Sequence, residues 1–496
     1  MRLKTFIYLF TMIYLGSACN HSNEIVFKES ENEKFRPEYH FTPQAGWMND
    51  PNGMFYLDGE YHLFYQHYPD STVWGPMHWG HAVSTDLINW EHLPIALEPD
   101  SLGYIFSGSA VVDLINTSGL GTLDNPPIVA IFTYHDPKGE REGKLDFQTQ
   151  GIAYSLDKGR TWTKYDKNPV LKNPGIKDFR DPKVNIFINE RGEESWLMSL
   201  AVKDHIEFYS SFDMINWTKL SEFGQGIGAH GGVWECPDLI SLKTEKGESK
   251  YVLFVSINPG GPQKGSSTQY FIGDFKKGVF TPDDNMIRWL DYGPDNYAGV
   301  TWSNLPSSQN RTLFIGWMSN WLYGNQVPTE KWRSAMTIPR NLSLFDVDGT
   351  YLIKSSPIQE LENTRRETYS INKKEIALPS QAVEIQAYIS GEDSFTLSFR
   401  NELGEELIVS KEMGLLSVDR SNAGISDFNR DFATIHSAPM SWEAKELQIF
   451  LDAHSIEVFV NDGELVMTSI LFPNSPWKSL ILSENLRNVK IYSLEK

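Results

Sequence analysis

The sequence predicts an all-β chain: a five-bladed β-propeller, followed by a second β domain. Three observations point there. Short runs rich in aromatic and β-branched residues flank tight turns, as in Gly53–Leu57 and Tyr61–Tyr65 around Asp58-Gly59, a hairpin signal. Long amphipathic helical patterns are absent between about 35 and 344. A loose repeat is also visible. His81-Ala82-Val83-Ser84-Thr85-Asp86-Leu87-Ile88-Asn89-Trp90 returns around Ser155-Leu156-Asp157 with Trp162, and again around Ser211-Phe212-Asp213 with Trp217. Each copy reads as a strand, a Ser-x-Asp turn and a Trp. The serines are 71 and 56 residues apart. About 310 residues at that period make about five units, which fits a propeller of four-stranded blades.

The elements follow in order. Residues 1–18 read as a signal peptide: Arg2 and Lys4 are basic, and Phe6–Leu15 is apolar but short for a membrane span. Leu15-Gly16-Ser17-Ala18-Cys19 resembles a bacterial lipoprotein cleavage box, so Cys19 is expected to be lipidated and to become the new N-terminus. The alternative is a plain secretory signal with a chance cysteine. Residues 19–34 are polar and suit a tether. The expected location is the bacterial cell envelope, lipid-anchored at the outer membrane, the cell surface or the periplasmic face. The propeller is expected over 35–345. Asp346-Val347-Asp348-Gly349-Thr350 reads as a turn into a linker over 346–368, and strand-like runs such as Leu447–Asp452 and Ser455–Gly463 place the second domain at 369–496.

Composition narrows the partners. The chain has 64 acidic and 44 basic residues, a formal charge of −20, which argues against nucleic acid and anionic lipid surfaces. Any membrane contact is expected only through the lipid. Aromatics make up 13% of the chain, with 15 Trp, enough to supply both a core and stacking platforms for sugars. The only cysteines are Cys19 and Cys236, so no intramolecular disulfide is expected once Cys19 is lipidated.

Three carboxylates occupy similar settings. Asp50 lies in Trp47-Met48-Asn49-Asp50-Pro51-Asn52-Gly53, which reads as a strand ending in a tight turn, because Pro51 pushes Asp50 toward extended backbone and Asn-Gly tolerates positive φ. Asp181 lies in Phe179-Arg180-Asp181-Pro182, and Glu235 in Trp234-Glu235-Cys236-Pro237-Asp238. With these motifs the sequence resembles glycoside hydrolase family 32, the fructosidases that include invertases, inulinases and levanases. The resemblance runs from about Phe35 to the C-terminus. Tyr297–Trp302, Gly316–Trp321 and Trp332–Thr337 look more like inulinases and levanases than plant invertases. It implies a five-bladed propeller with the site in its central funnel, and a C-terminal β-sandwich. The sandwich carries no evident catalytic constellation, so a structural role is expected of it.

The resemblance further implies Asp50 as nucleophile, Asp181 as transition-state stabiliser and Glu235 as general acid/base. By the same matching of motifs, Trp47, Asn49, Gln66, Trp74, Phe106, Ser107, Arg180 and Trp317 are expected to bind substrate. The chemistry asks for these residue types in its own right. A retaining glycosidase needs an acid to protonate the leaving oxygen and a carboxylate, about 5–5.5 Å away, to attack the anomeric carbon. An ordinary carboxylate suits the nucleophile. Trp234 is expected to give Glu235 apolar surroundings, and Arg180 to keep Asp181 ionised. No cofactor and no metal is expected, since two carboxylates suffice. Gly226-Ile227-Gly228-Ala229-His230-Gly231 fits a dinucleotide-binding glycine pattern but no helix is expected after it. His62, His67, His78 and His81 read as structural, and Cys236 as a small buried neighbour of Glu235.

The expected activity is hydrolysis of β-fructofuranosidic bonds in a levan, inulin or sucrose type of carbohydrate. A transfructosylase with the same acids and a surface fructan-binding lipoprotein are the alternatives. Linkage preference, endo or exo cleavage and oligomeric state are left open by the sequence.

Overall fold

The computed structural model describes residues 33–188, 192–371, 374–391 and 394–496. The expected signal peptide and Cys19 lie outside the described residues. The compact unit runs from Phe35 to Lys496.

Among the described residues, five antiparallel sheets follow one another along the chain to Pro357. The first holds Gly46–Leu57, Glu60–Tyr68, His78–Ser84 and Glu91–Leu97. The second, third and fourth begin with Tyr104–Val112, Phe179–Ile188 and Val233–Lys243. The fifth holds Tyr297–Thr301, Leu313–Met318, Arg340–Val347 and Thr350–Pro357. In each sheet the strand that comes first in sequence is innermost. These inner strands pack side by side around a central channel, and the fifth meets the first. The ring is sealed where Trp332–Arg333 pairs with Gly46–Trp47 and Ser303 bonds to Met54 and Tyr56. Apolar side chains fill the wedges between blades; Phe55, Phe64 and Trp79 meet Ile105 and Phe132 between the first two.

Local chemistry explains the blade corners. Asp58 and Gly59 both have positive φ (50° and 93°), as a two-residue hairpin turn of the expected type requires. In the repeat, the Ser84 hydroxyl accepts from the N–H groups of Asp86 and Leu87, the Asp86 carboxylate accepts from Ile88 and Asn89, and Trp90 Nε1 donates to Leu87 O. The same lock recurs at Ser155/Asp157/Trp162 and Ser211/Asp213/Trp217. It joins the third and fourth strands of the first three blades.

The boundary at 345 requires correction. The Asp346–Thr350 turn joins Arg340–Val347 to Thr350–Pro357, the two outer strands of the fifth blade. The connection is the short 3₁₀ stretch Gln359–Thr364, and the second domain starts with Arg365–Ile371. That domain is a β-sandwich of two six-stranded sheets, with Ile385, Phe399, Val409, Ile449 and Val458 among its buried core. It meets the propeller through charged groups as well as apolar ones. Arg340 bonds Asp291 (2.9 Å) and Glu457 (2.6 Å), and Arg420 bonds Asp295 (2.7 Å), all buried. His40, from the segment before the first blade, lies between Asp452 (2.7 Å) and Glu457 (2.9 Å).

Candidate active site

The site is built on interruptions of regular pairing. In a strand, side chains alternate between faces, and a bulge resets that alternation and re-aims a residue. All five inner strands carry such a shift near the same level: Met48/Pro51, Ile105/Gly108, the pairs at Ser199/Ala201 that flank Asp181, Glu235/Asp238 and Tyr297/Val300. Asp50, Asp181, Glu235 and Tyr297 all sit at these breaks. The motif around Asp50 therefore does not end its strand. The strand continues to Leu57, and Asp-Pro-Asn-Gly is an irregular stretch within it, because Pro51 has no N–H to give the ladder. Gly53 has φ of 58°, and a Cβ there would lie 2.6 Å from the Trp79 ring, so any side chain would force that ring to move.

Asp50 is held on both oxygens. Oδ1 accepts from Asn49 Nδ2 at 3.0 Å and Oδ2 from Ser107 Oγ at 2.7 Å. Trp47 Nε1 fixes Asn49 by donating to its Oδ1 at 2.7 Å. Asp181 Oδ2 accepts from the Cys236 N–H at 3.0 Å. Cys236 Sγ lies 3.7 Å from both Asp50 Oδ2 and Asp181 Oδ2, so its small side chain is the point on which the two carboxylates converge. Glu235, the preceding residue, accepts from Arg180 on Oε1 (3.1 Å from Nε, 2.9 Å from Nη2) and from the Tyr297 hydroxyl on Oε2. The three carboxylates thus meet in one place.

Electrostatics depart from expectation in two ways. Burial raises Asp50, helped by the charge of Glu235 and opposed by the Asn49 and Ser107 hydrogen bonds, to about 6 rather than an ordinary carboxylate value. Burial also raises Asp181; the Arg180 charge opposes this, and Glu235 and Asp50 add to it. Arg180 does not bond Asp181. Its guanidinium reaches Glu235 and Asp178 (2.7 Å), which hold it firmly cationic despite burial. Trp234 does not form an apolar wall for Glu235 either. Its indole turns into the wedge between the third and fourth blades, stacks on His230 and donates to Ala229 O.

The expected binding residues separate into two groups. Trp47 and Trp317 are fully buried and pack on each other and on Trp321, so neither offers a ring face to a sugar. Trp47 acts instead by orienting Asn49. Trp74 is 39% exposed and meets the half-buried Phe106 edge-on at 6.0 Å, and Phe106 stacks on His135 at 4.3 Å, which leaves an accessible aromatic ledge one residue from Ser107. Gln66 is buried opposite the irregular stretch at Asn49 and Asp50, and its Nε2 has no partner among the described residues; the same holds for Asn52 Oδ1. Such orphaned polar atoms beside a carboxylate cluster suit sugar hydroxyls. Sequence reading did not single out Tyr297, Asp178 or Trp321 as site residues. Tyr297 and Trp321 carried a signal through their motifs, Tyr297–Trp302 and Gly316–Trp321, without a role, and Asp178 carried none.

His62 and His81 bond each other (3.0 Å) within a stack with Phe55 and Phe64, and burial lowers both. A His205, Glu207 and Glu222 cluster lies on the third blade, where Lys219 Nζ already reaches both carboxylates.

A propeller whose inner strands converge three carboxylates, with a β-sandwich behind it, defines a glycosidase scaffold. Residues 40–356 match the family model "Glycosyl hydrolases family 32 N-terminal domain" and residues 352–495 the model "Glycosyl hydrolases family 32 C terminal". The chain belongs to this family. It is 46% identical to a levanase of Bacillus subtilis (strain 168), over 99% of this chain and 73% of that protein. It is 36% identical to an extracellular exo-inulinase of Aspergillus awamori, over 91% of this chain and 92% of that one. The crystal structure of exo-inulinase from Aspergillus awamori superposes with a TM-score of 0.84 at 34% identity, covering 94% of this chain and 99% of that one. A β-fructofuranosidase from Schwanniomyces occidentalis, complexed with fructosyl-erythritol, gives 0.81 at 32%, covering 94% and 98%.

Proposed function

We propose that the protein is a retaining β-fructosidase that hydrolyses fructans of the levan or inulin type, and sucrose-type substrates, by double displacement. The observation that carries this reading is the convergence of Asp50 and Asp181 on Cys236, with Glu235 next to it in the chain. Asp50, held between Asn49 and Ser107, attacks the anomeric carbon of a fructosyl unit. Glu235 gives its proton to the leaving oxygen. Arg180 occupies Oε1, so the proton travels on Oε2, the oxygen beside Tyr297. The products of this step are a fructosyl ester on Asp50 and a free alcohol. Glu235, now a carboxylate, takes a proton from water as that water attacks the same carbon from the face opened by the leaving group, and Asp50 departs. Asp181 stabilises the charge that develops on the sugar in both steps.

The experiment is release of reducing sugar from levan, inulin and sucrose by the protein and by its Asp50→Asn variant. The wild type is expected to release fructose, and the variant to lose several orders of magnitude in turnover while keeping its fold. No release from any of the three substrates, or a variant within about tenfold of wild type, overturns the reading. Fructose as the sole product means exo cleavage, and mixed oligosaccharides mean endo.

We also propose that the protein is a lipoprotein of the bacterial cell envelope. The support is the sequence Leu15-Gly16-Ser17-Ala18-Cys19 behind a short basic and apolar segment.

A further inference from the structure

Asp181 is an unusual residue in its backbone as well as its side chain. Its φ is +63°, in the left-handed region, which most side chains avoid and Asp tolerates better than most; Cys236 and Ala298 adopt it too, in other inner strands. Ladder pairing passes from Ser199↔Lys183 to Ala201↔Arg180, which leaves Asp181 unpaired with that strand. Its N–H is a buried donor that the sheet does not satisfy. The Thr133 hydroxyl, on the neighbouring second blade, accepts that N–H at 3.0 Å. Thr133 in turn donates to Gln150 Oε1 at 2.6 Å, and Gln150 Nε2 donates to Phe179 O at 2.9 Å.

We infer that Thr133 and Gln150 form a one-way hydrogen-bond relay that positions Asp181 for the reaction. The direction is forced. An amide N–H only donates, so Thr133 Oγ1 must accept from Asp181 and spend its own proton elsewhere. Gln150 Oε1 is the acceptor within reach, which turns the Gln150 amide so that Nε2 faces a carbonyl. The relay starts at the backbone of residue 181, inside the bulge, and returns to residue 179 just before it, pinning this stretch from another blade. Thr133 and Gln150 are opposed on adjacent strands and have no exposed surface. At a fully buried position apolar side chains would pack as well, and here Thr133 Oγ1 serves both the Asp181 N–H and Gln150 Oε1, while Gln150 Nε2 holds the carbonyl of Phe179, two residues before Asp181. Without the relay, Asp181 can relax toward ordinary strand backbone, and its carboxylate leaves the Cys236 N–H and the point it shares with Asp50. Neither residue touches the reacting atoms, so both are positioning residues.

This inference rests on the reading of Asp181 as the transition-state stabiliser, and its test separates the two. Thr133→Val keeps shape and removes the acceptor; Thr133→Ser keeps the hydroxyl. Gln150→Met breaks the relay from its other end. Turnover and KM on sucrose and levan are measured for each, alone and in an Asp181→Asn background. Thr133→Val is expected to lower kcat about thirtyfold with KM within about threefold, Gln150→Met to do likewise, and Thr133→Ser to return within about threefold of wild type. In the Asp181→Asn background Thr133→Val is expected to cost less than about twofold more, because the relay acts only through Asp181. If Asp181→Asn is severely impaired while both Thr133→Val and Gln150→Met retain full activity, the relay is wrong and the site reading stands. Multiplying losses in the double variant mean a general packing defect and also overturn the relay. If Asp181→Asn itself is fully active, the site reading fails and the relay with it.

Discussion

Tyr297 donates its phenolic hydrogen to Glu235 from the adjacent inner strand, and it does so from a ring that is itself fully buried against Trp317. Glu235, the proposed acid/base, is therefore gripped from both neighbouring blades, by Arg180 on one oxygen and Tyr297 on the other. Tyr297→Phe keeps the packed ring and removes one grip. Its kcat on fructan is expected to fall about 10- to 100-fold with little change in melting temperature. Unchanged turnover would show that this contact is not used in the reaction.

In the proposed mechanism Glu235 transfers a proton and Asp181 does not. Glu235→Ala should slow both steps with natural substrates, while a substrate with a good leaving group escapes the first requirement. The fructosyl-Asp50 ester then accumulates, and azide attacks it without base assistance to give a β-fructosyl azide of retained configuration. Asp181→Ala should show neither effect, since it transfers no proton. Rescue of Asp181→Ala but not Glu235→Ala would exchange the two roles.

The raised proton affinity of Asp50 sets an acid limb. Its folded value of about 6 lies above the ordinary 3.8, so below that pH the carboxyl is protonated and cannot attack. Activity should rise with pH through about 6 as the carboxylate forms. The Ser107 hydrogen bond favours the charged form, so Ser107→Ala should move the limb to higher pH. A profile of kcat/KM between pH 4 and 8 reads this, and a limb that stays in place or moves down contradicts the assignment.

His40 makes the fold itself sensitive to base. Burial disfavours its charged ring, but the Asp452 and Glu457 carboxylates overcome this and raise it from 6.5 to about 8. A raised value means stabilisation that is complete below about 6.5 and is lost as pH climbs through about 8. Melting temperature is expected to drop between pH 7 and 9, and His40→Gln should flatten that drop while lowering the plateau at pH 6. An equal slope in the variant would place the titration elsewhere.

Cys19→Ser should release the protein from the membrane fraction with catalysis unaffected. Stable attachment takes more than one acyl chain, as a lipoprotein terminus provides. Retention of the variant on membranes in high salt would mean that another element anchors it.

The three acids were legible because each sits in a run of seven or fewer residues with a Pro just after it and an aromatic just before it, a pattern that matches family motifs and that in the structure shapes a bulge. Their partners were not. Arg180 adjoins Asp181 in sequence, yet the bulge turns the guanidinium toward Glu235 and Asp178. Trp234 adjoins Glu235, but its ring lies in the wedge between blades. Adjacency along an extended strand says little about contact, because neighbouring side chains diverge. Thr133 and Gln150 left no trace in the sequence, since an isolated Thr and Gln in β-rich runs look like any others. Of the blades, the Ser-x-Asp-Trp lock marked the first three and gave the period. The fifth was cut short at 345 because the Asp348-Gly349 turn between its outer strands reads the same as a domain junction.

The charges buried between propeller and sandwich bear on how this protein can be divided. Arg340 and Asp291 belong to one half and Glu457 to the other, and Asp295 of the first half meets Arg420 of the second. Cut after Pro357, each fragment would keep ions whose counterions had gone with the other piece, and stranding one partner of a buried pair costs about 3–5 kcal/mol. The loop that carries Asp291 and Asp295 runs straight into Tyr297. The sandwich is therefore no detachable accessory: a truncated catalytic half would be insoluble or inert, and chimeras between relatives should exchange these five residues as a set.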